Sequence, residues 1–513
     1  MSDSDDSLTE PDWTEPEWAE PDGGRSPGRP RHERRVSREP VPRRTSVIIA
    51  VIAVIAGVAG IAAAAGTPAP AAAPSTADGI AVAPATAYSS SAFCSAGTGT
   101  AANTTIYLTN STRSPVSGVM TTVAPAGAAG AVPTVRRSVT VPALGTLTVD
   151  PADGLPAGSN ASGFSFAGGG VVASQVVSGA NGWTTAPCAS RIASEWDFAG
   201  GSTTTGNTLT LSLYNPAATE AVVNVSFLTG QGLVTPQKYQ GLEVPAGQLV
   251  EENVGDYVQG SSASTIATMV VAQAGGLVSS EFQQWSSGPT GGMSLRLGSP
   301  ALSTSWRLAQ TTAMPQSTVD LYLANPGSSP ATATITLGLS SGTVVPHRVV
   351  VPPVSITAFP ASGTPGLPQQ TPYAVTVTST APIVVGRSVE APPGSPSPVW
   401  GSSAATTTVA THWLVPGPGV PGAPAITNAT VSSLAVANSG TTASRVVVAR
   451  LGGTRTVAMF TVAPGRIVVL GPKQVGGLAT LTVSASQPVF VEEDSQPAGT
   501  PGIVSSSGFS LGS

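Results

Sequence analysis

Apolar and polar residues alternate along most of the chain beyond residue 87. In one such run, Val319, Leu321 and Leu323 alternate with Asp320 and Tyr322, so one face of an extended segment is apolar. Val and Thr are frequent in these runs, and Gly or Pro interrupts them at short intervals, which is typical of short β-strands joined by turns. The pattern predicts an all-β fold for this part of the chain.

Three landmarks recur four times in the same order, which indicates internal repeats. An alternating run ends in Asn, at Asn110, Asn215, Asn325 and Asn438. A Val-Pro or Val-Ala-Pro corner follows, at Val141, Val244, Val351 and Val462. A late apolar run then begins at Gly170, Gly276, Pro382 and Pro488. The Asn residues lie 105, 110 and 113 positions apart, so the repeating unit is a domain rather than the short repeat of a solenoid.

These repeats predict tandem immunoglobulin-like β-sandwich modules. About seven short strands in 100 residues, with a turn after each, fit such a sandwich. The run that ends in Asn and the run after it are predicted to form a hairpin, with Asn supplying the turn. A row of such modules with short linkers would form a rod.

The predicted organisation has seven parts. They are a disordered cytoplasmic tail over 1–45, a transmembrane helix over 46–66, a Pro/Ala/Thr-rich spacer over 67–87, and β-sandwich modules over 88–188, 189–300, 301–401 and 402–513.

The membrane helix rests on a single apolar segment. Val47–Ala65 contains 19 consecutive apolar or small residues without a charge, which as a helix would extend about 28 Å and nearly cross the hydrocarbon core. Arg43 and Arg44 precede it, so the positive-inside rule places the N-terminus in the cytoplasm and Gly66 onward outside. The alternative is a cleaved signal peptide, but the segment before the apolar run is far longer than an ordinary n-region.

Charge is distributed unevenly and separates the tail from the exterior. The net charge is −5 and only 10% of residues are charged, against roughly 25% in ordinary soluble chains. The exterior is nearly neutral, which argues against a nucleic-acid partner. The tail is acidic at first and then Arg-rich, and it is predicted to be disordered. Within it, Trp13 and Trp18 stand among carboxylates in two similar Pro-flanked segments. These segments are either a docking motif for a cytoplasmic partner or part of a solubilising acidic tail.

The two cysteines, Cys94 and Cys188, bracket the first module. Outside the cell such a pair predicts a disulfide. The alternative, a metal or redox pair, lacks the usual Cys-x-x-Cys spacing.

Tryptophans stand near both ends of the modules. Trp196, Trp306 and Trp413 lie near module starts, and Trp183, Trp285 and Trp400 lie near module ends. They either fill the ends of the sandwiches and stiffen the junctions, or the first three form aromatic platforms for sugar rings.

Catalytic and metal-binding patterns are scarce, so we expect no enzyme, no cofactor and no metal site. The exterior histidines, His347 and His412, fall in different modules and outside any known catalytic motif. The acidic clusters Glu251–Asp256 and Glu492–Asp494 are interpreted as solvated turns, with Ca²⁺ sites as the alternative. The recurrence of Glu281, Glu390 and Glu493 after the late runs is interpreted as shared ancestry of the modules.

The landmarks also carry a resemblance. Asn325–Gly327, Ala331–Thr334 and Ala381–Val385 resemble the repeats of an actinobacterial family of membrane-anchored large secreted proteins with immunoglobulin-like repeats. Modules 1 and 4 depart from its pattern, with Ser111 and Ser439 in place of Pro. The resemblance implies a fold and a location, and it implies no activity.

The expected function is therefore that of a non-enzymatic, single-pass envelope protein. Its extracellular modules would act as a scaffold or binding array for cell-wall polysaccharide or for an envelope protein. One alternative is an accessory subunit of an envelope glycan assembly or export machine, with the tail docking a cytoplasmic partner. Another is a hydrolase with a carboxylate pair drawn from two modules.

Overall fold

Strands supply nearly all the regular structure in the computed structural model of the chain. The described residues are 80–96, 102–125, 133–156, 158–179, 182–259, 264–285, 291–310, 317–391, 399–417, 430–475, 480–497 and 503–511. They all belong to one compact unit, Ser75–Ser513. The predicted tail, with Trp13 and Trp18, and the predicted membrane helix lie outside them. Within the described ranges, no helix is long and apolar enough to cross a membrane.

Module 1 consists of two antiparallel sheets that face each other. Its strands are β1 (Ser90–Ala96), β2 (Ala102–Asn110), β3 (Val116–Val123), β4 (Thr134–Val141), β5 (Thr146–Val149), β6 (Asn160–Phe166), β7 (Val171–Gly179) and β8 (Gly182–Pro187). The strand orders are β1-β6-β3-β4 and β5-β2-β7-β8. Because apolar residues alternate along each strand, the two sheets bury one face each, and Ile106, Met120 and Phe164 meet in the core between them.

Module 2 repeats this arrangement. Its strands are β9 (Glu195–Gly201), β10 (Asn207–Asn215), β11 (Ala221–Thr229), β12 (Gly232–Val234), β13 (Leu242–Val244), β14 (Gln248–Asn253), β15 (Ile266–Ala274), β16 (Val278–Trp285) and β17 (Gly292–Leu297), with 3₁₀ turns at Gln237–Tyr239 and Val254–Asp256. The orders are β12-β11-β15-β9, with β13 also on β11, and β14-β10-β16-β17.

Modules 3 and 4 follow the same plan with one long strand each. Module 3 has β18 (Ser303–Gln310), β19 (Thr318–Asn325), β20 (Ala331–Leu339), β21 (Gly342–Thr343), β22 (His347–Val351), β23 (Ser355–Pro360), a 3₁₀ turn at Ala361–Gly363, β24 (Tyr373–Ala391) and β25 (Val399–Ala404). Module 4 has β26 (Ala410–Val415), β27 (Thr430–Asn438), β28 (Ser444–Arg450), β29 (Thr456–Val462), β30 (Arg466–Leu470), a helical turn at Pro472–Val475, β31 (Leu481–Pro497), β32 (Val504–Ser507) and β33 (Phe509–Ser510). Strand β25 runs past the predicted boundary at residue 401.

The long strands β24 and β31 pass from one sheet of their module to the other. The first part of β24 pairs with β18 and β20, and its second part pairs with β19 and β25. In modules 1 and 2 the same crossing interrupts the strand at Gly170 and Gly275, whose φ angles are +76° and +71°. Glycine adopts such angles without strain, so the crossing is a sharp turn there.

The all-β prediction is confirmed, but the strand order differs from that of an immunoglobulin domain. In that fold the first strand pairs with the second, and the third, sixth and seventh strands share a sheet. Here the first strands β1 and β9 pair with β6 and β15, and the seventh strand of module 1, β7, joins the other sheet beside β2.

The recurring Asn joins two of the sequence landmarks. Asn215 Oδ1 accepts from the backbone N–H of Ala217 at 3.0 Å, and Nδ2 donates to the carbonyl oxygens of Thr219 and Val244, both at 2.8 Å. The same bonds form at Asn110, Asn325 and Asn438. One buried amide therefore holds both the turn and the valine of the Val-Pro corner.

The hairpin predicted after this Asn is wrong. Strand β10 lies in one sheet of module 2 and β11 lies in the other. The chain crosses between sheets at this point, so its backbone groups cannot form hydrogen bonds to a neighbouring strand. The Asn side-chain amide forms hydrogen bonds with them instead.

The predicted disulfide between Cys94 and Cys188 is present, with a sequence separation of 94. It connects β1 with the segment after β8 and lies in the module 1 core beside Ala92 and Ala173. Closing a loop of this length restricts the unfolded chain and is worth about 4–5 kcal/mol in the chain-entropy model.

We expect the double variant Cys94→Ser and Cys188→Ser to lower the free energy of unfolding of module 1 by about 2–5 kcal/mol. Urea unfolding followed by limited proteolysis within residues 88–188 measures this change. Reductant added to the wild type is the control and should give the same shift. A double variant that unfolds at the wild-type urea concentration would contradict the prediction.

Candidate functional site

One late strand from each module, the last in modules 1 to 3 and the last but one in module 4, takes part in a closed cycle of contacts. Strand β8 contacts β17, β17 contacts β25, β25 contacts β32, and β32 contacts β8. Together they line a cavity of about 70 Å³, which has room only for a few waters. The modules therefore form a ring, and the predicted rod is wrong. Small side chains on these strands allow the close approach, and a Cβ built on Gly401 would overlap the carbonyl oxygen of Ile503.

The two ends of the described chain close the ring between modules 1 and 4. Val82 forms a parallel bridge with Leu511. Ile80 and Val82 belong to one apolar cluster with Leu414 and Phe509 of module 4. Both ends of the ring domain therefore lie side by side.

One type of joint connects successive modules. Ser174, Ser280, Gly386 and Glu492 follow one another at equal intervals of 106 residues in the late strands of modules 1 to 4. Three of them lie against the first strand of the preceding module. Ser280 hydrogen-bonds Ser95 through its hydroxyl, a Cβ on Gly386 would overlap the carbonyl oxygen of Ala199, and Glu492 accepts from the N–H of Ala309 at 2.7 Å. Ser174 lines a small cavity with Pro416 of module 4.

A buried ion pair fills the joint between modules 3 and 4. The Arg387 guanidinium pairs with Glu492 and lies 3.9 Å from Asp494. Its Nη1 donates to the carbonyl oxygen of Ala309, and its Nη2 donates to Ser403 Oγ, both at 2.9 Å. Burial raises the pKa of the Glu492 carboxyl to about 7, although the charge of Arg387 opposes the rise. The cluster Glu492–Asp494 is thus a buried part of β31, and its interpretation as a solvated turn is wrong.

Module 2 has a related pair within its own sheets. Arg296 Nη2 lies 2.5 Å from Glu281, and Arg296 Nη1 donates to the carbonyl oxygen of Ala199 at 2.7 Å. Glu281 and Arg387 occupy equivalent positions, and Gln175 and Glu493 occupy the same position in modules 1 and 4. Glu390 does not belong to this set, so the sequence grouping of Glu281, Glu390 and Glu493 is only partly correct.

Glu493 is a buried carboxyl, and within the described ranges no Lys or Arg forms an ion pair with it. Its hydrogen bonds are to Ser432 and Ser495, and burial raises its pKa to about 8. A carboxyl whose pKa is raised on folding stabilises the folded state fully below its unfolded pKa. That contribution is lost as the pH rises through about 8. The raised pKa of Glu492 changes the stability of the folded state with pH in the same direction.

The folded ring should therefore be more stable at pH 5 than at pH 9. Glu493→Gln keeps the shape of the side chain and removes its titration, so it should reduce the difference in unfolding free energy between these pH values by on the order of 3 kcal/mol. Denaturant unfolding at the two pH values measures the difference. The exposed Glu220, changed to Gln, is the matched control and should leave it unchanged. Equal pH dependence in Glu493→Gln and wild type would refute the assignment.

Gly386 provides a second test of the joint. We expect Gly386→Ala to lower the free energy of unfolding by about 1–3 kcal/mol, because the added methyl group meets backbone that cannot move aside. Gly230→Ala is the control, since a Cβ there meets no atom within 4 Å. Thermal unfolding followed by circular dichroism compares them, and equal melting temperatures would show that this joint is not close-packed.

A groove beside the joint of modules 1 and 2 is a candidate ligand site. Its volume is about 470 Å³, within the usual range of ligand pockets. One wall is the outer face of the module 1 sheet, with Phe93, Thr121 and Arg136, and the other wall includes Tyr214 and Gln248 of module 2. Tyr214 is buried, and burial raises the pKa of its hydroxyl, which is therefore neutral and can donate.

The predicted aromatic platforms are buried and offer no face to a ligand. Trp196, Trp306 and Trp413 are 0%, 1% and 1% exposed. Their indole N–H groups donate to the carbonyl oxygens of Leu277, Ile383 and Ala410 at 2.8, 2.9 and 3.1 Å. The interpretation that they fill the ends of the modules agrees with this burial, and the platform interpretation does not. Trp285 and Trp400 stack on each other between modules 2 and 3.

The remaining candidate residues do not converge on one place. His347 packs beside Phe359, and His412 shares a hydrogen bond with Thr411. In the Glu251–Asp256 cluster, Glu252 pairs with Lys238 at 2.6 Å. Within the described part of the chain, no group of three or more His, Cys, Asp or Glu side chains could hold a metal ion.

The fold and the joints define the class: an all-β protein in which four copies of one two-sheet module close into a ring. The chain belongs to a family of unknown function, DUF5719, whose model matches residues 158–473, more than half of the sequence.

Other comparisons add little. The chain matches no curated protein. It has a limited likeness to a crystal structure of Thermotoga maritima 1070, with 20% identity over 20% of this chain and 92% of that one and a TM-score of 0.18. It also resembles a tetra-tandem repeat from the extending region of a large adhesion protein, with 12% identity over 78% and 93% of the chains and a TM-score of 0.11. At such TM-scores neither likeness carries an argument.

Proposed function

We propose that this chain is a non-enzymatic protein of the cell envelope, anchored in the membrane through Val47–Ala65 with its C-terminal part outside. Its ring of modules acts as a rigid scaffold that binds cell-wall polysaccharide or an envelope protein.

The closed ring is the observation that carries this proposal. Its joints combine close backbone approach at Gly386 with hydrogen bonds at Ser280 and an enclosed ion pair at Arg387. A groove whose two walls come from different modules is therefore held in one shape before any ligand arrives. Such preorganisation lowers the entropy that binding must overcome.

The burial of the charged groups supports a scaffold rather than a catalyst. Strongly perturbed carboxyls often mark active sites. Here Glu492 bonds Arg387 and the backbone of Ala309 across a joint, and Glu281 pairs with Arg296 inside module 2. These groups are enclosed and already have protein partners, so their perturbed pKa values have a structural cause.

The sequence around the apolar segment supports the location. Arg43 and Arg44 stand on one side of it and the nearly neutral exterior on the other, as expected for an anchor with a cytoplasmic N-terminus. The disulfide within module 1 also suits an oxidising compartment.

Sedimentation with isolated cell walls tests the function. The full-length protein, purified in detergent, should sediment with untreated walls. Retention on protease-treated walls would identify polysaccharide as the ligand, and retention on untreated walls alone would identify an envelope protein. An unrelated β-sheet protein of similar charge is the control. If the full-length protein stays in solution with both wall preparations, the proposed function is wrong.

A further inference from the structure

The outer face of the β1-β6-β3-β4 sheet carries an arginine whose surroundings differ from those of the arginine next to it in the sequence. Arg136 and Arg137 are consecutive in β4, so their side chains leave the strand on opposite faces. Arg137 pairs with Asp153 at 2.7 Å. Arg136 is exposed at the groove, and the residues that line the groove include no carboxylate.

The floor of the groove has the features of a sugar site. Gly163 faces the groove, and a Cβ built there would lie 2.9 Å from the Tyr214 hydroxyl and 3.5 Å from the Phe93 ring. The absence of a side chain at Gly163 therefore lets the buried Tyr214 hydroxyl pack against the sheet, and the half-buried Phe93 ring lies beside it at the groove. Thr121 and Gln248 add a hydroxyl and an amide to the walls. Aromatic faces contact sugar rings over a large area at low entropy cost, and hydroxyls and amides bond to sugar hydroxyls.

From these features we propose that the groove between modules 1 and 2 binds an acidic polysaccharide, with the Arg136 guanidinium pairing with its anionic groups. This proposal deepens the proposed envelope function and rests on it. A guanidinium forms two parallel hydrogen bonds to a carboxylate or a phosphate. Because no carboxylate lines the groove, none of the lining residues carries a negative charge that would repel an anionic chain.

Titration calorimetry with the full-length protein in detergent tests the proposal. The probes are an oligomer of galacturonic acid, a neutral glucose oligomer of the same length and a glycerol phosphate polymer. We expect binding of at least one anionic probe, with affinity about tenfold above that of the neutral oligomer. Added salt should weaken the binding. The two anionic probes distinguish a uronate from a phosphate as the natural anion.

Two variants and one control variant locate the binding in the groove. Arg136→Gln should lower the affinity for the anionic probe about tenfold, whereas Arg137→Gln, on the opposite face of the same strand, should bind as the wild type does. Thr121→Trp should block the groove without changing its charge. Binding that survives both Arg136→Gln and Thr121→Trp would overturn the proposal, as would equal affinity for the neutral oligomer or no binding of either anionic probe.

The wall experiment separates this proposal from the broader one. If Arg136→Gln sediments with protease-treated walls as fully as the wild type, the groove is not the site, while the polysaccharide-binding function stands. If the wild type itself stays in solution with both wall preparations, the envelope function fails as well.

Discussion

The joint between neighbouring modules is the constraint on which the ring depends. In modules 1 to 3 the first strand lies at the edge of one sheet and the last strand at the edge of the other, whereas in module 4 β33 flanks the first strand β26. Edge strands expose backbone groups that must be covered. In this chain the late strand of the next module covers the first strand, with Ser280 on Ser95 and Glu492 on Ala309. A linear row would leave its two terminal modules with bare edges. The ring covers them, because β8 of the first module contacts β32 of the last and Val82 bridges Leu511.

The chemistry of the joints differs although their geometry repeats. A hydroxyl, a glycine and a carboxylate stand at equivalent places in modules 2, 3 and 4. Only Glu492 meets a guanidinium, that of Arg387. A buried ion pair adds little net stability, since desolvation offsets most of its attraction, but removing one partner is costly. We infer that the pair acts mainly on specificity: a module without the carboxylate would leave Arg387 buried and uncompensated if it took the place of module 4. Distinct joints thereby oppose misassembly among similar repeats.

Sequence reasoning succeeded where a pattern has one structural cause and failed where it has two. Alternation, the recurring Asn and the paired cysteines led to strands, modules and a disulfide. Alternation indicates that a face is buried without showing what covers it. The sequence therefore did not place Glu492 between modules, and it left two interpretations open for Trp306. The hairpin failed for a related reason, since a turn after Asn215 suits a crossing between sheets as well as a reversal within one. A signal for the joint was present, namely the equal spacing of Ser174, Ser280, Gly386 and Glu492, but their side chains share no chemistry that would have drawn attention to it.

Closure into a ring also affects how many equivalent binding sites the repeated modules can offer. A row of equivalent modules would offer equivalent sites and gain avidity from them. In this chain the residue that lies five positions before the corner valine is Arg136 in module 1, but Tyr239, Pro346 and Val457 in the others. The cationic wall of the groove is therefore particular to module 1. Module 2 supplies the second wall of the groove, and the joints of the ring hold the two walls in place. Such a ring suits one preorganised site per chain rather than an array of sites.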